Sequence, residues 1–301
     1  MNYTVEAVTT IPEWFATAIE TRPSHGDVVV DGARIRYRSW GTPGKRDIML
    51  VHGGAAHSQW WDHVAPLLAT DTRLVALDLS GHGDSDHRDD YSISSWASEV
   101  LAVARDAGLR DNYTVIGHSL GGLIAAHLAQ IPASPIGEAI VIDSPVGDPG
   151  SRTPVEPRGL VAARRRIYSS AEETIARFRP VPDQTSLSYI ADHIAARSVT
   201  QVPGGWTWKF DSRILNGGDV LPAEFAVGDT QLAFFRSENG LVNASARTAI
   251  EQAGAIYVEI PNAGHAPMLD QPLALVASIR AVLAAWDAAT SPSAQAEVTA
   301  R

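Results

Sequence analysis

The stretch "VIGHSLGGLIAAHLA", residues 115–129, constrains the fold of this chain more than any other. An apolar run suited to a strand stops at Gly117, and an apolar run suited to a helix begins just past Ser119. The five residues between, Gly117 to Gly121, fit the pattern G-x-S-x-G, whose serine sits on a sharp strand-to-helix turn. Such a turn needs small residues, because a Cβ at either flanking glycine would press on the neighbouring backbone. It also lifts the Ser119 hydroxyl clear of the sheet and sets it at a helix N-terminus, where the dipole favours developing negative charge.

The rest of the chain supplies the sheet that such a turn requires. "DVVVDGARIRYRSWG" (27–41) reads as a hairpin around Asp31-Gly32. "RDIMLVHGG", "TRLVALDLSGHG", "NYTVIGHS" and "GEAIVIDSP" are nearly continuous apolar runs, as in strands buried on both faces. Helical stretches lie between them: "SQWWDHVAPLLA", "SISSWASEVLAVARDAG" and "GGLIAAHLAQI". That alternation predicts an α/β fold with a mostly parallel sheet covered by helices on both sides.

The rhythm lapses after Pro145 and resumes at "TQLAFFRSENG" (230–240), followed by the helix "ASARTAIEQAG", the strand "AIYVEIPNAGH" and the helix "LALVASIRAVLAAW". Residues 1–145 and 225–286 are therefore expected to form one core, with 146–224 inserted as a largely helical cap after the sixth strand. Residues 287–301, small and polar without periodicity, are expected to form a disordered tail.

Composition limits the partners. A net charge of −10 argues against nucleic acid, which is held through clustered Lys and Arg. The absence of cysteine removes disulfides, thiolate metal sites and thiol nucleophiles. No apolar stretch reads as an uninterrupted membrane span, and "MNYTVEAVTTIPEWFATAIE" has neither the basic start nor the apolar core of a secretion signal, so a cytoplasmic location is expected.

With "GHSLGG", three more motifs, "VHGG" (51–54), "LDLSGHGDSD" (77–86) and "NAGHAPMLDQP" (262–272), stand in the order and spacing of the α/β-hydrolase family, which the chain resembles over nearly its whole length. The resemblance implies a serine nucleophile, Ser119, and a general base, His265, just past the last strand. A serine hydroxyl needs such a base within hydrogen-bond reach. His118, next to the nucleophile, is expected to pack or bond locally, and His52 and His82 to hold loops. Asp78 and Asp84 read as turn caps.

The acid is less direct. Family members commonly carry it after the strand that here reads "QLAFF", but the matching stretch is Arg236-Ser237-Glu238-Asn239, with an amide at the expected position. Asp143, at the end of the preceding strand, is the expected third member, and Glu238 the alternative. The oxyanion hole is expected from the N–H groups of Leu120 and Gly54, with Ala55 as a second choice for the latter.

The resemblance implies hydrolysis of a small ester-type substrate (carboxylic ester, lactone or thioester) without metal or cofactor. C–C bond hydrolysis, haloperoxidation, hydroxynitrile cleavage and a small-molecule receptor remain open on the same serine turn. Trp60, Trp206 and Trp208 are candidates for the pocket wall. Arg164 to Arg166 read either as a solvated helix face or as a carboxylate-binding group.

Overall fold

The computed structural model describes residues 10–145, 166–215 and 230–290. Helix α1 (Glu13–Glu20) leads into strands β1 (Ser24–Val30) and β2 (Ala33–Trp40). Then come β3 (Arg46–Val51), a 3-10 turn at Ser58–Trp61, α2 (Ala65–Leu68), β4 (Thr72–Leu77), α3 (Ile93–Asp106), β5 (Tyr113–His118), α4 (Leu120–Gln130) and β6 (Ile136–Ile142). The next described elements are α5 (Ala171–Ile175), α6 (Ser188–Arg197), β7 (Val199–Val202), β8 (Gly205–Trp208) and a 3-10 turn at Ser212–Leu215. Strand β9 (Gln231–Asn239), α7 (Ala246–Gln252), β10 (Ile256–Gly264), α8 (Pro267–Asp270) and α9 (Pro272–Thr290) follow.

Eight strands form one sheet in the order β1-β2-β4-β3-β5-β6-β9-β10, parallel from β4 onward and antiparallel at the β1–β2–β4 edge. The first hairpin closes through Asp31 and Gly32 at φ 45° and 79°, the two positive values that a tight primed turn demands.

Inner strands alternate between two cores. Met49, Val51, Val115, Val141 and Phe234 point to one face with α3 and α4, while Ile48, Leu50, Ile116, Ile140 and Phe235 point to the other with α1 and α9. This double burial is why the runs read as continuously apolar; each such side chain contributes about 1.5–3 kcal/mol on leaving water.

The strand order reverses at β3, whose neighbours are β4 on one side and β5 on the other. Open α/β sheets bind ligands in the crevice beyond the strand ends at such a reversal. Gly53 and Gly54 follow β3, and Ser119 follows β5, so two of the motifs meet at that crevice.

Three expectations change. Between β6 and β9 the described residues carry a β7–β8 hairpin beside two helices, so this segment is less helical than its sequence suggests; residues 146–165 and 216–224 of the expected cap, with Arg164 and Arg165, lie outside the described residues. Helix α9 continues to Thr290, four residues into the stretch expected as a tail, because Trp286 still packs in the core. That helix is also long and apolar enough to cross a membrane by length and composition, although Leu275, Ile279, Val282 and Leu283 are buried against the sheet.

Candidate active site

Ser119 occupies the turn between β5 and α4 at φ 52°, ψ −114°, outside the regions open to most side chains. Holding it there costs on the order of 1–3 kcal/mol, which the surroundings must offset. Its N–H donates to Ile142 O (2.9 Å), and its carbonyl accepts from Gly122 N, Leu123 N and Ser144 Oγ (3.0, 3.1 and 2.8 Å). A Cβ on Gly117 would lie 2.0 Å from Gly121 O, and one on Gly121 would lie 2.3 Å from Val51 O. Both contacts are to backbone, so neither glycine can be enlarged without moving the turn.

His265 reaches this hydroxyl from the loop after β10. Its Nε2 lies 3.0 Å from Ser119 Oγ, and its Nδ1 lies 2.7 Å from Asp143 Oδ2. With Nδ1 donating to the carboxylate, Nε2 is left as the acceptor that faces the serine. Asp143 is fully buried and stands at φ 43° just past β6. Its Oδ1 accepts from Ser237 N (3.3 Å), and its Oδ2 also accepts from Leu241 N (2.8 Å). The end of β9 thus serves Asp143 with backbone amides.

Glu238, the other carboxylate considered, lies apart from the imidazole. Glu238 is exposed, accepts from Asn262 N (2.7 Å) and makes no contact with His265. Gly240 leaves the room that Asp143 fills, since a Cβ there would lie 2.2 Å from Asp143 Oδ2. The carboxylate in contact with His265 Nδ1 is the one from the end of β6.

His118 does more than the local bonding expected of it: its buried Nε2 donates to the carbonyl of His265 (2.8 Å), 147 residues away in sequence. Burial, with the His265 ring alongside at 4.8 Å, holds His118 well below the usual imidazole range, so it stays neutral. His52 holds its loop as expected, accepting from Leu79 N at Nε2 and donating to Gly53 O from Nδ1. Burial lowers His52 and His82 to about 3. Asp78 caps its turn through Ser58 N and Asp84 N (2.7 and 2.9 Å), and Asp84 pairs with Lys209.

One clasp left no signal in the sequence. Gln184, between α5 and α6, accepts from Ala266 N (2.8 Å) and donates to both Ala266 O and Asp270 Oδ2 (3.1 Å each). Asp270 Oδ2 in turn accepts from Gly264 N (2.6 Å). The loop that carries His265 is therefore gripped on both sides of the histidine, in part by the segment between β6 and β9.

A cavity of about 770 Å³ opens over the hydroxyl, a size suited to a small-molecule ligand. Gly53, Gly54, Ala55, Ser119, Leu120 and His265 line its floor. Leu120 is the first residue of α4, so its N–H has no partner within the helix. After β3 the chain turns through Ala55 at φ 59°, with Ala56 N bonded to Gly53 O (3.2 Å). Trp60 and Trp208 line the wall as expected, but Trp206 does not. It sits toward the tip of the β7–β8 hairpin, its backbone paired with Tyr168, while Trp208 sits at the base.

A second serine and histidine share this cavity. His57 Nε2 lies 2.8 Å from Ser198 Oγ, and Ser198 Oγ donates to Ile194 O (2.8 Å). This serine caps the C-terminus of α6, where the dipole opposes a developing alkoxide, and its proton is given to a carbonyl. Burial lowers His57 to about 4. Ser119 has the opposite placement, at a helix N-terminus, facing an imidazole backed by a carboxylate.

A family model described as the alpha/beta hydrolase family matches residues 48–279. A pimeloyl-[acyl-carrier protein] methyl ester esterase of Edwardsiella ictaluri is 29% identical over 241 residues, which cover 76% of this chain and 90% of that protein. An esterase of Mycobacterium tuberculosis is 30% identical over 272 residues, 84% of this chain and 88% of its own. Among solved structures, the thioesterase domain from the curacin biosynthetic pathway superimposes with a TM-score of 0.69 at 22% identity, covering 85% of this chain and 99% of that domain.

Proposed function

Because the chain belongs to the alpha/beta hydrolase family, we propose that it is a serine hydrolase of small carboxylic esters, with Ser119 as nucleophile, His265 as general base and Asp143 as the acid that orients and balances the imidazole. The observation that carries this reading is the relay Asp143–His265–Ser119, at 2.7 and 3.0 Å, ending on a strained turn at the floor of a cavity. Names of relatives as esterases support the bond type.

The steps follow from that geometry. Ser119 Oγ attacks the ester carbonyl carbon as His265 Nε2 takes its proton, and the carbonyl oxygen becomes an oxyanion held by the N–H groups of Leu120 and Gly54. Each such donor is worth about 3 kcal/mol in the transition state. The tetrahedral intermediate collapses, His265 returns the proton to the leaving alkoxide, and the alcohol departs from an acyl-enzyme. Water, deprotonated by His265, then attacks the acyl carbon, and the acid leaves as Ser119 recovers its proton. Residues 166–215 serve as a cap that walls the substrate from water, with Trp208 on the cap side of the cavity and Trp60, from the turn after β3, on the core side.

Steady-state hydrolysis of p-nitrophenyl esters of increasing acyl length, wild type beside Ser119→Ala, tests the reading. Multiple turnovers that vanish in the variant are expected. Saturable binding without turnover would instead identify a receptor.

A further inference from the structure

The cavity wall carries a charge that ester hydrolysis does not use. Five cationic side chains line it, Arg166, Arg177, Arg179, Lys209 and Arg213, against one acidic one, Asp211, among the described residues. The chain as a whole carries −10, so this wall runs against the global balance.

Three of the five are already paired: Arg177 with Glu173 (3.1 Å), Lys209 with Asp84 (2.7 Å) and Arg213 with Asp211 (2.7 Å). Arg166 and Arg179 form no ion pair with any described carboxylate. The Arg179 guanidinium donates to the carbonyls of Ala176 and Phe178 (3.4 and 2.5 Å), which leaves its charge uncompensated. The same cavity carries an aromatic wall, with Trp60 and Phe178 rings 6.1 Å apart and Phe178 and Trp208 rings 6.3 Å apart.

We propose that the substrate is an ester bearing an anionic oxygen group, carboxylate or phosphate, remote from the scissile bond. Its hydrocarbon stem lies along Trp60, Phe178 and Trp208, and its anion accepts from Arg166 and Arg179, whose planar forks suit either group. This rests on the serine-hydrolase reading. It adds an end that the pocket distinguishes.

The test compares kcat/KM for monomethyl esters of linear dicarboxylic acids with methyl alkanoates of equal carbon number, across chain lengths, with methyl ω-phosphonooxyalkanoates as a third arm. Both arginines are exposed, so screening limits the gain, and a preference of about tenfold at the best length, carried in KM, is expected. Whichever anion gains more identifies the source. The ratio of anionic to neutral ester should collapse toward one in the Arg166→Gln/Arg179→Gln double variant and in about 1 M NaCl, where the screening length shrinks to about 3 Å.

A wild-type ratio near one at every length, or a preference retained by the double variant, overturns the proposal while neutral-ester turnover that needs Ser119 leaves the hydrolase reading intact. Turnover on none of the three series would overturn both.

Discussion

At the scale of single residues, the proposed chemistry depends on a proton held between three side chains that come from the ends of β5, β6 and β10. Asp143→Asn keeps the shape but reverses the donor at His265 Nδ1, so kcat is expected to fall about 10⁴-fold with KM little changed. Glu238→Gln should leave turnover within about twofold, since an exposed carboxylate bonded to Asn262 N contributes nothing to the imidazole. A parallel kinetic comparison of the two variants checks the assignment, and the reverse pattern would move the acid to β9. Ser119, His265 and Asp143 could be singled out because each closes an apolar run at a motif, while Asn239 at the usual acid position left Asp143 and Glu238 as the two candidates. Gln184 could not, because its partners at Ala266 and Asp270 are more than eighty residues away and a glutamine in a loop has no periodicity to mark it.

At the scale of elements, that glutamine joins the segment between β6 and β9 to the loop that carries the histidine. Gln184→Leu retains the bulk and removes three hydrogen bonds, leaving Ala266 N–H and Asp270 short of partners. The expected result is a kcat lower by about tenfold, with the ester chain-length optimum unmoved, since about 1–3 kcal/mol of unsatisfied polar groups would loosen the loop rather than reshape the cavity wall. A changed optimum with kcat intact would mean that Gln184 shapes the pocket instead. The same turn logic applies to β5: Gly117→Ala drives a Cβ into Gly121 O, and loss of both thermal stability and activity is expected. Strands were the most legible elements, since burial on two faces writes itself as unbroken apolar runs. The β7–β8 hairpin was hidden because each strand has four residues and packs beside helices, too short for alternation to show. Helix α9 outran its expected end because alanines and a single aspartate carry helical geometry without an apolar stripe.

For the whole molecule, five of the seven histidines buried among the described residues set the acid limit. His52 and His82 are lowered to about 3, His57 and His63 to about 4, and His118 well below its usual range, burial being the first cause in each. The unfolded chain binds these protons near pH 6.5 and the folded chain does not, so their contribution is complete above pH 6.5 and is lost as the pH falls toward 3 to 4. Each histidine contributes a slope of up to about 1.4 kcal/mol per pH unit across that window. Urea midpoints should hold steady from pH 8 to 7 and drop steeply between about pH 6.5 and 5; a flat profile through that range would show that these rings take up protons as readily in the fold as in the unfolded chain.

The measurement that bears most directly on the central claim is the site of covalent labelling by a fluorophosphonate, read by peptide mass mapping. Both serine–histidine pairs face the one cavity, and the reagent reports which hydroxyl is activated. A single adduct on Ser119, absent in Ser119→Ala and slowed in Asp143→Asn, is the predicted result. An adduct on Ser198, or ester turnover that persists while Ser119 stays unlabelled, would contradict it.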